Sequence, residues 1–479
     1  MPRLLRNLAD GAALLELPNA EALRLAALLA KAPPDGLLDA VPGACTLLLL
    51  FDPDRFDAER FNRESSGIDL TVAPPPARTI RLPTLYDGAD LDGFDVPREQ
   101  VVRLHTGAVW TVAFLGFAPG FAYLTGAPPE LSVPRLRTPR VRVPAGSVAV
   151  ANGYSGVYPA ETPGGWRLLG RVAQRMFDPA GVPPALLQPG DRVVFEPVAA
   201  LDEPPAALAP ATGGEPVLRV ISPGAFTSVQ GAPRYGLSAS GVPAGGAMDL
   251  PALAFANQRV GNALGAAGLE ISLAGPELEA LATVQLSSGQ ELLAGERIKC
   301  GPVRGGVREY LCVGGGLAQP LPGELTRPLR RGEVLHRARA GRTSTLRVPA
   351  PRPFASRIRA LPGPQLDYFT GVSVETFFAS EYRVSPQSDR RGLRLLGPLL
   401  ELTRPADLPP EGTAPGAVQV PGDGLPIVLG PDRPVTGGYP KIATVISADL
   451  PLLAQARPGA ALRFQRVTLA EALAARRSP

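Results

Sequence analysis

Proline and glycine set the first limit on what this chain can fold into, with 56 and 53 of its 479 residues respectively. Proline lacks an amide hydrogen and breaks helix interiors and central strands, and glycine admits backbone conformations closed to other residues. Apolar runs between them have room for short strands joined by tight turns. The pattern is clearest over residues 116–166: Gly116-Phe-Ala-Pro-Gly-Phe-Ala-Tyr-Leu124, Val143-Pro-Ala-Gly-Ser-Val-Ala-Val150 and Thr162-Pro-Gly-Gly-Trp166. Turns of this kind bring backbone amides close to something small.

A chain of this length exceeds what one hydrophobic core usually supports, so several domains are expected. Its 45% hydrophobic content is that of a folding protein. The cysteines, Cys45, Cys300 and Cys312, are odd in number and far apart, so neither a disulfide framework nor a zinc site is signalled, and no metal is expected. Asp10 and Glu16 interrupt the first apolar run before it could serve as an export signal, and Thr46 to Phe51 is too short to cross a membrane. A cytoplasmic protein without a membrane partner is expected. Net charge is only +4 and the arginines are scattered, which argues against nucleic-acid binding. Only Lys31, Lys299 and Lys441 are lysine among 48 basic residues, which singles out each of them.

The pattern predicts an α+β chain, mostly β. Residues 1–80 read as a small α/β unit, with a helix over 20–31 capped by Asn19 and a buried strand over 45–51. Residues 81–200 carry short apolar runs bounded by Gly or Pro (110–115, 147–151, 192–195), the grammar of a β-barrel. Residues 201–215 read as a linker, 216–348 as a further β domain, and 354–479 as a second barrel beyond the seam Pro349-Ala-Pro-Arg-Pro353. An internal echo supports duplication: Pro144-Ala-Gly-Ser-Val-Ala-Val150 followed by Thr162-Pro-Gly-Gly-Trp166 is mirrored by Ala414-Pro-Gly-Ala-Val-Gln-Val420 followed by Val435-Thr-Gly-Gly-Tyr439.

The motifs of 116–166 resemble the allophanate hydrolase subunit 1 family, which includes the B-type component of bacterial 5-oxoprolinase, a sporulation-kinase inhibitor and the first half of the urea carboxylase carboxyltransferase domain. Val220-Ile-Ser-Pro-Gly-Ala-Phe-Thr-Ser-Val-Gln230, Gly241-Val-Pro-Ala-Gly-Gly-Ala-Met-Asp249, Val384-Ser-Pro-Gln-Ser-Asp-Arg390 and Thr436-Gly-Gly-Tyr-Pro-Lys-Ile-Ala-Thr-Val445 resemble the subunit 2 family, the C-type component of 5-oxoprolinase and the second carboxyltransferase half. The resemblance implies cyclophilin-like barrels in a natural B–C fusion. It further implies an ATP-dependent 5-oxoprolinase component that phosphorylates the lactam oxygen and acts with a separate A-type subunit. The alternatives are a carboxyltransferase using biotin on a separate carrier, and a non-enzymatic kinase-binding regulator. A homo-oligomer is compatible with either half.

Several residues have chemistry that suits such roles. His105 matches a histidine of the subunit 1 pattern and would act as a general acid or base, against a reading as a structural histidine. Arg135, Arg137, Arg140 and Arg142 alternate along an extended segment, and Arg135, Arg140 and Arg142 are candidate anion ligands, against a reading as edge-strand cations. Gly116, Gly120, Gly164 and Gly165 would present amides to an anion, or would only form turns. Gln387, Ser388, Asp389 and Arg390 form a polar turn, either a ligand cradle or an Asx turn. Lys441, following Gly437 and Gly438, matches the subunit 2 motif and is the candidate catalytic or anion-binding ammonium. Asp249 is expected to cap a following helix that has Pro251 in its first turn.

Overall fold

In the computed structural model, residues 4–68, 70, 78–136, 138–202, 213–323, 326–338 and 347–477 are described. Most of the expected linker and Arg137 lie outside them. The strand Thr46–Phe51 is buried at every position. It forms the inside of an antiparallel sheet ordered Leu5–Ala9, Ala12–Glu16, Thr46–Phe51, Leu37–Pro42. One face, with Leu47, Leu49 and Phe51, packs under Ala22, Leu25 and Leu29 of the helix Asn19–Lys31. The other, with Leu48 and Leu50, packs on Ala414 and Val435 of the C-terminal half. A continuous apolar run is what a strand covered on both faces requires. The helix begins one residue earlier than expected, with Pro18 at the cap position. Asn19 caps nothing; its amide donates to the Gly43 carbonyl at 2.8 Å, tying the helix to the hairpin.

Two closed seven-stranded barrels follow, the mostly-β architecture expected. The first takes Thr79–Leu85, Trp110–Leu115, Ala122–Thr125, Ser147–Ala151, Tyr154–Val157, Arg167–Val172 and Arg192–Pro197. The second takes Arg357–Pro362, Glu381–Val384, Gly392–Leu396, Ala417–Gln419, Ile427–Leu429, Lys441–Val445 and Ala461–Arg466. In each, the first and last strands pair in parallel, Thr79–Leu85 with Arg192–Pro197 and Arg357–Pro362 with Ala461–Arg466. Each also has a two-stranded ribbon outside the barrel: Arg140–Val143 with Thr162–Gly164, and Glu411–Gly412 with Thr436–Gly437. The internal echo in the sequence therefore marks equivalent strands and ribbons in two barrels.

Between the barrels lies a unit of four- and three-stranded antiparallel sheets around Val217, Leu218, Leu269, Leu278 and Val313. Its helix Leu250–Arg259 starts at Asp249, whose carboxylate accepts from the Ala252 amide at 3.0 Å with Pro in the first turn, as expected.

Arg390 fastens this unit to the second barrel. Its guanidinium donates to Glu270 at 2.6 Å, to both oxygens of Asp432 at 2.8 and 3.0 Å, to the Gly246 carbonyl at 2.6 Å and to Gln230 at 3.3 Å. Glu270 is 1% exposed, and it also accepts from the Met248 amide and the Tyr310 hydroxyl. Burial alone would raise the Glu270 carboxyl, but Arg390 and Arg308 outweigh it and hold it below its ordinary range. The expectation that Arg390 binds a ligand is corrected here, since its donors are taken up within the protein. Its neighbours in the turn serve the turn. Asp389 accepts from the amides of Arg391 and Gly392, Ser388 exchanges hydrogen bonds with Arg394, and the Gln387 amide donates to Ser385.

Replacing Arg390 by Lys keeps one charge but loses the fork that reaches two carboxylates at once. Leaving a buried carboxylate partly unpaired costs about 3 kcal/mol or more. Arg390→Lys is therefore expected to lower the denaturant midpoint markedly in equilibrium unfolding, and an unchanged midpoint would contradict the clamp.

Candidate functional site

The barrels meet through the loop 116–120 of the first and the ribbon ending at Gly437 of the second. A Cβ on Gly116 would overlap the Thr436 side chain, so only glycine permits this approach. Phe117 is held at φ +64°, a left-handed conformation costly for a bulky residue. Its ring packs edge-on against Phe121 and Tyr158. The Gly116 amide donates to the Phe121 carbonyl, and the Gly120 amide to the Ser240 carbonyl. These two amides hold the loop's shape, which corrects the expectation that Gly116 and Gly120 cradle an anion.

Around the contact, several buried polar atoms have no hydrogen-bond partner among the described residues. These are Nε of Arg135, Nε2 of Gln419 and Oγ1 of Thr46; Oγ1 of Thr436 faces the Tyr123 hydroxyl without a well-aligned bond. They belong to one neighbourhood. The Arg135 guanidinium borders Gly438, the Gln419 amide borders Gly437, and Thr46 lies beside Gly43, which packs on Pro410 and Glu411. Glu411 pairs with Gly437 across the ribbon. Buried polar atoms in proteins nearly always have partners, so a group of orphans at a domain junction marks a candidate ligand contact. Tyr123, Tyr158 and Trp166 form the aromatic wall behind Arg135. Burial pushes the Tyr158 hydroxyl up to about 12 and also raises Tyr123, against the pull of Arg135, so both are neutral donors.

Lys441 lies beneath this contact. It is fully buried, and its ammonium pairs with Glu411, whose carboxylate also accepts from Gln365 Nε2 at 2.7 Å. The Lys441 amide donates to Gln365 Oε1 at 3.1 Å. Glu411 and Gln365, with Cys45 and Thr46, line a cleft of about 230 Å³ between the N-terminal sheet and the second barrel. Lys441 does not line it; it acts behind Glu411 and is corrected from a direct ligand to the counter-charge of a lining carboxylate.

The remaining candidates separate. His105, on the helix Arg98–Gly107, is fully buried in the first barrel's core against Trp110 and Phe195. Its Nδ1 meets the Tyr86 hydroxyl at 2.8 Å and its Nε2 the Ser155 hydroxyl at 2.9 Å. Because Ser155 donates to the Ala149 carbonyl, Nε2 carries the ring proton and Nδ1 accepts from Tyr86. Burial pushes His105 down to about 3, so it stays neutral. A histidine with both nitrogens committed and no exposed surface is a structural group, which corrects the acid–base expectation. Arg140 pairs with Asp90 at 2.6 Å, and Arg142 pairs with Glu161 at the exposed edge. Gly164 packs under the Tyr158 ring, and Gly165 accepts from the Leu136 amide. Of the alternating arginines described, only Arg135 reaches the junction. Thr46, Glu411, Gln419 and Thr436 went unmarked as site residues; Gln419 and Thr436 sit inside the quoted echo, whereas Glu411 and Thr46 carry no sequence signal.

Fold and junction together define a fused two-barrel protein of the carboxyltransferase type. The chain belongs to the carboxyltransferase domain family: residues 4–187 match subdomains C and D, and residues 240–466 match subdomains A and B. It is 37% identical over 292 residues to the C-type component of 5-oxoprolinase from Escherichia coli K12, covering 54% of this chain and 94% of that one. It is 40% identical over 170 residues to the B-type component of 5-oxoprolinase from Escherichia coli O157:H7, covering 34% and 78% respectively. The crystal structure of TTHA0988 superposes with a TM-score of 0.80 at 36% identity, over 96% of this chain and all of that one. The two halves thus stand in one chain in the order B-like, then C-like.

Two outcomes test the assignments within the barrels. The His105 value of about 3 lies below its ordinary 6.5, so between those limits the unfolded chain takes up a proton that the folded one refuses. Stability should therefore be lost as pH is lowered through that window, by up to about 1.4 kcal/mol per unit. Melting curves of the His105→Gln chain should show a shallower acid slope than wild type, and an identical slope would contradict the neutral buried ring. Lys441→Met leaves Glu411 as a buried unpaired carboxylate, a cost of about 3 kcal/mol. Adding Glu411→Gln should restore most of the lost melting temperature; no recovery in the double variant would contradict the pairing.

Proposed function

We propose that this chain is the B–C component of an ATP-dependent 5-oxoprolinase, holding the lactam at the junction of its two barrels and working with a separate A-type subunit. The observation that supports it most is the set of orphaned donors, Arg135 Nε and Gln419 Nε2 beside Gly437 and Gly438, with the Thr46 and Thr436 hydroxyls nearby. A guanidinium and a carboxamide with free donors suit the carboxylate and carbonyl oxygens of a small cyclic amide. The tyrosine and tryptophan rings supply the apolar wall that such a ring needs.

Among the described residues, neither the loop 116–120 nor the cleft beside it supports a nucleotide site. The Gly116 and Gly120 amides are consumed internally, and the neighbouring cleft of about 230 Å³ falls below the ~300–1,000 Å³ usual for ligand pockets. In this proposal ATP binds away from the loop 116–120, and the residues of the junction orient the lactam and exclude water from it. An unstrained lactam is a poor electrophile, which is why ring opening needs activation by the assembly.

The purified chain should bind 5-oxoproline in calorimetry but not open it, and turnover should require both ATP and an A-type subunit. Arg135→Met should weaken binding or reconstituted turnover about tenfold or more, near 1.4 kcal/mol, with little change in melting temperature. Full activity in a stable Arg135→Met chain, or no turnover of 5-oxoproline by any reconstituted complex, would overturn the proposal.

A further inference from the structure

A cavity of about 600 Å³, apart from the barrel junction, opens where the N-terminal sheet, the middle unit and the second barrel meet. Its walls are mainly apolar, with Met248, Leu250, Leu393 and Leu453 among them, and Arg433 lies in the lining. Arg433 is only 2% exposed. Its Nε donates to the Thr413 carbonyl at 2.8 Å, and among the described residues its two terminal nitrogens meet no acceptor. No carboxylate lies within 4 Å of it among the described residues.

The nearest acids are committed elsewhere. Asp432 is held by Arg390, and Asp39 accepts from the Ser238 hydroxyl at 2.6 Å and from the Gly236 amide. Asp10, the carboxylate in the cavity wall, spends both oxygens on Ser447. The two further cations of the lining are also engaged: Arg352 donates to the Ala448 carbonyl, and Arg476 pairs with Asp52 at 3.1 Å. Arg433 is thus a buried charge with spare donors facing an apolar cavity. Burial pushes it down to about 10, a sign that its charge is held at a cost. A guanidinium so placed takes a carboxylate by paired hydrogen bonds, strengthened by the low dielectric around it.

We propose that this cavity binds an organic acid with an apolar body, of the medium-chain fatty acid class, its carboxylate on Arg433 and its chain against Met248, Leu250, Leu393 and Leu453. Charge complementarity selects the head group and the apolar lining selects the tail. The site is independent of the lactam site at the barrel junction, so either can fail without the other.

Isothermal calorimetry on the full chain with decanoate, and with decanol as the uncharged control, tests it. Decanoate should bind, and decanol should bind about tenfold or more weakly. Arg433→Met should weaken decanoate by about tenfold or more while leaving decanol unchanged, so that the preference for the acid disappears. Should that variant fail to fold, Ala448→Trp fills the cavity and leaves Arg433 in place; it should abolish decanoate binding without altering 5-oxoproline binding. Absence of decanoate binding to the wild-type chain, undiminished affinity in folded Arg433→Met, or binding that survives Ala448→Trp would each overturn the proposal.

Discussion

The contact on which the rest of the structure depends is the buried pairing of Arg390 with Glu270 and Asp432. It joins a turn of the second barrel to a strand of the middle unit, and each partner is buried enough that none can be left alone. The network extends from Glu270 through the Tyr310 hydroxyl to the Asp249 amide, and from the Asp249 carboxylate to Gln455 of the second barrel. Asp249 also caps the helix Leu250–Arg259, so one residue both starts a helix and ties two units together. Burial raises the Asp249 carboxyl, against its hydrogen bonds from Gln455 and Ala252. Buried ion pairs are weak evidence of stability but strong determinants of geometry, because few alternative arrangements satisfy every charge. Here that geometry sets where the ribbon carrying Thr436 and Gly437 lies relative to the first barrel.

The duplicated barrels use their shared plan differently. In the first, the ribbon Arg140–Val143 with Thr162–Gly164 is fixed by Arg140 to Asp90 and by Gly164 against Tyr158. In the second, the ribbon Glu411–Gly412 with Thr436–Gly437 lies against the N-terminal sheet and the loop 116–120, with Lys441 neutralising Glu411 beneath it. The strained Phe117 and the missing Cβ at Gly116 belong to the same contact, where strain tolerated by the surroundings commonly accompanies function. Four unsatisfied polar atoms lie there among the described residues; the buried Tyr382 and Thr444 hydroxyls of the second barrel also lack partners. Histidine is used in the opposite way: His105 is fully satisfied inside the first barrel.

The segment 433–441 bears on both proposed sites. Arg433 faces the cavity shared by three units, Thr436, Gly437 and Gly438 face the barrel junction, and Lys441 is sealed in the second barrel. Three consecutive environments within nine residues separate a cation with spare donors from one already paired. The chemical difference lies in their neighbours, since both side chains are buried to a similar degree.

Sequence alone determined the local elements. Runs bounded by Gly or Pro located the strands at 110–115 and 147–151, the apolar run at 45–51 foretold a buried strand, and Asp249 with Pro251 foretold a helix start. The repeated Gly-Gly motif exposed the duplication, because a turn's dihedral requirements are written in its residues. Sequence also singled out His105, Lys441 and Arg390 by residue type, but their roles lay beyond it. Whether an imidazole or an ammonium can reach a ligand depends on burial and partners, and those partners, Tyr86, Ser155, Glu411, Glu270 and Asp432, lie 19 to 120 residues away. Only the tertiary structure brought Thr46, Arg135 and Gln419 to one junction, since charge compensation and desolvation are decided by packing across domains.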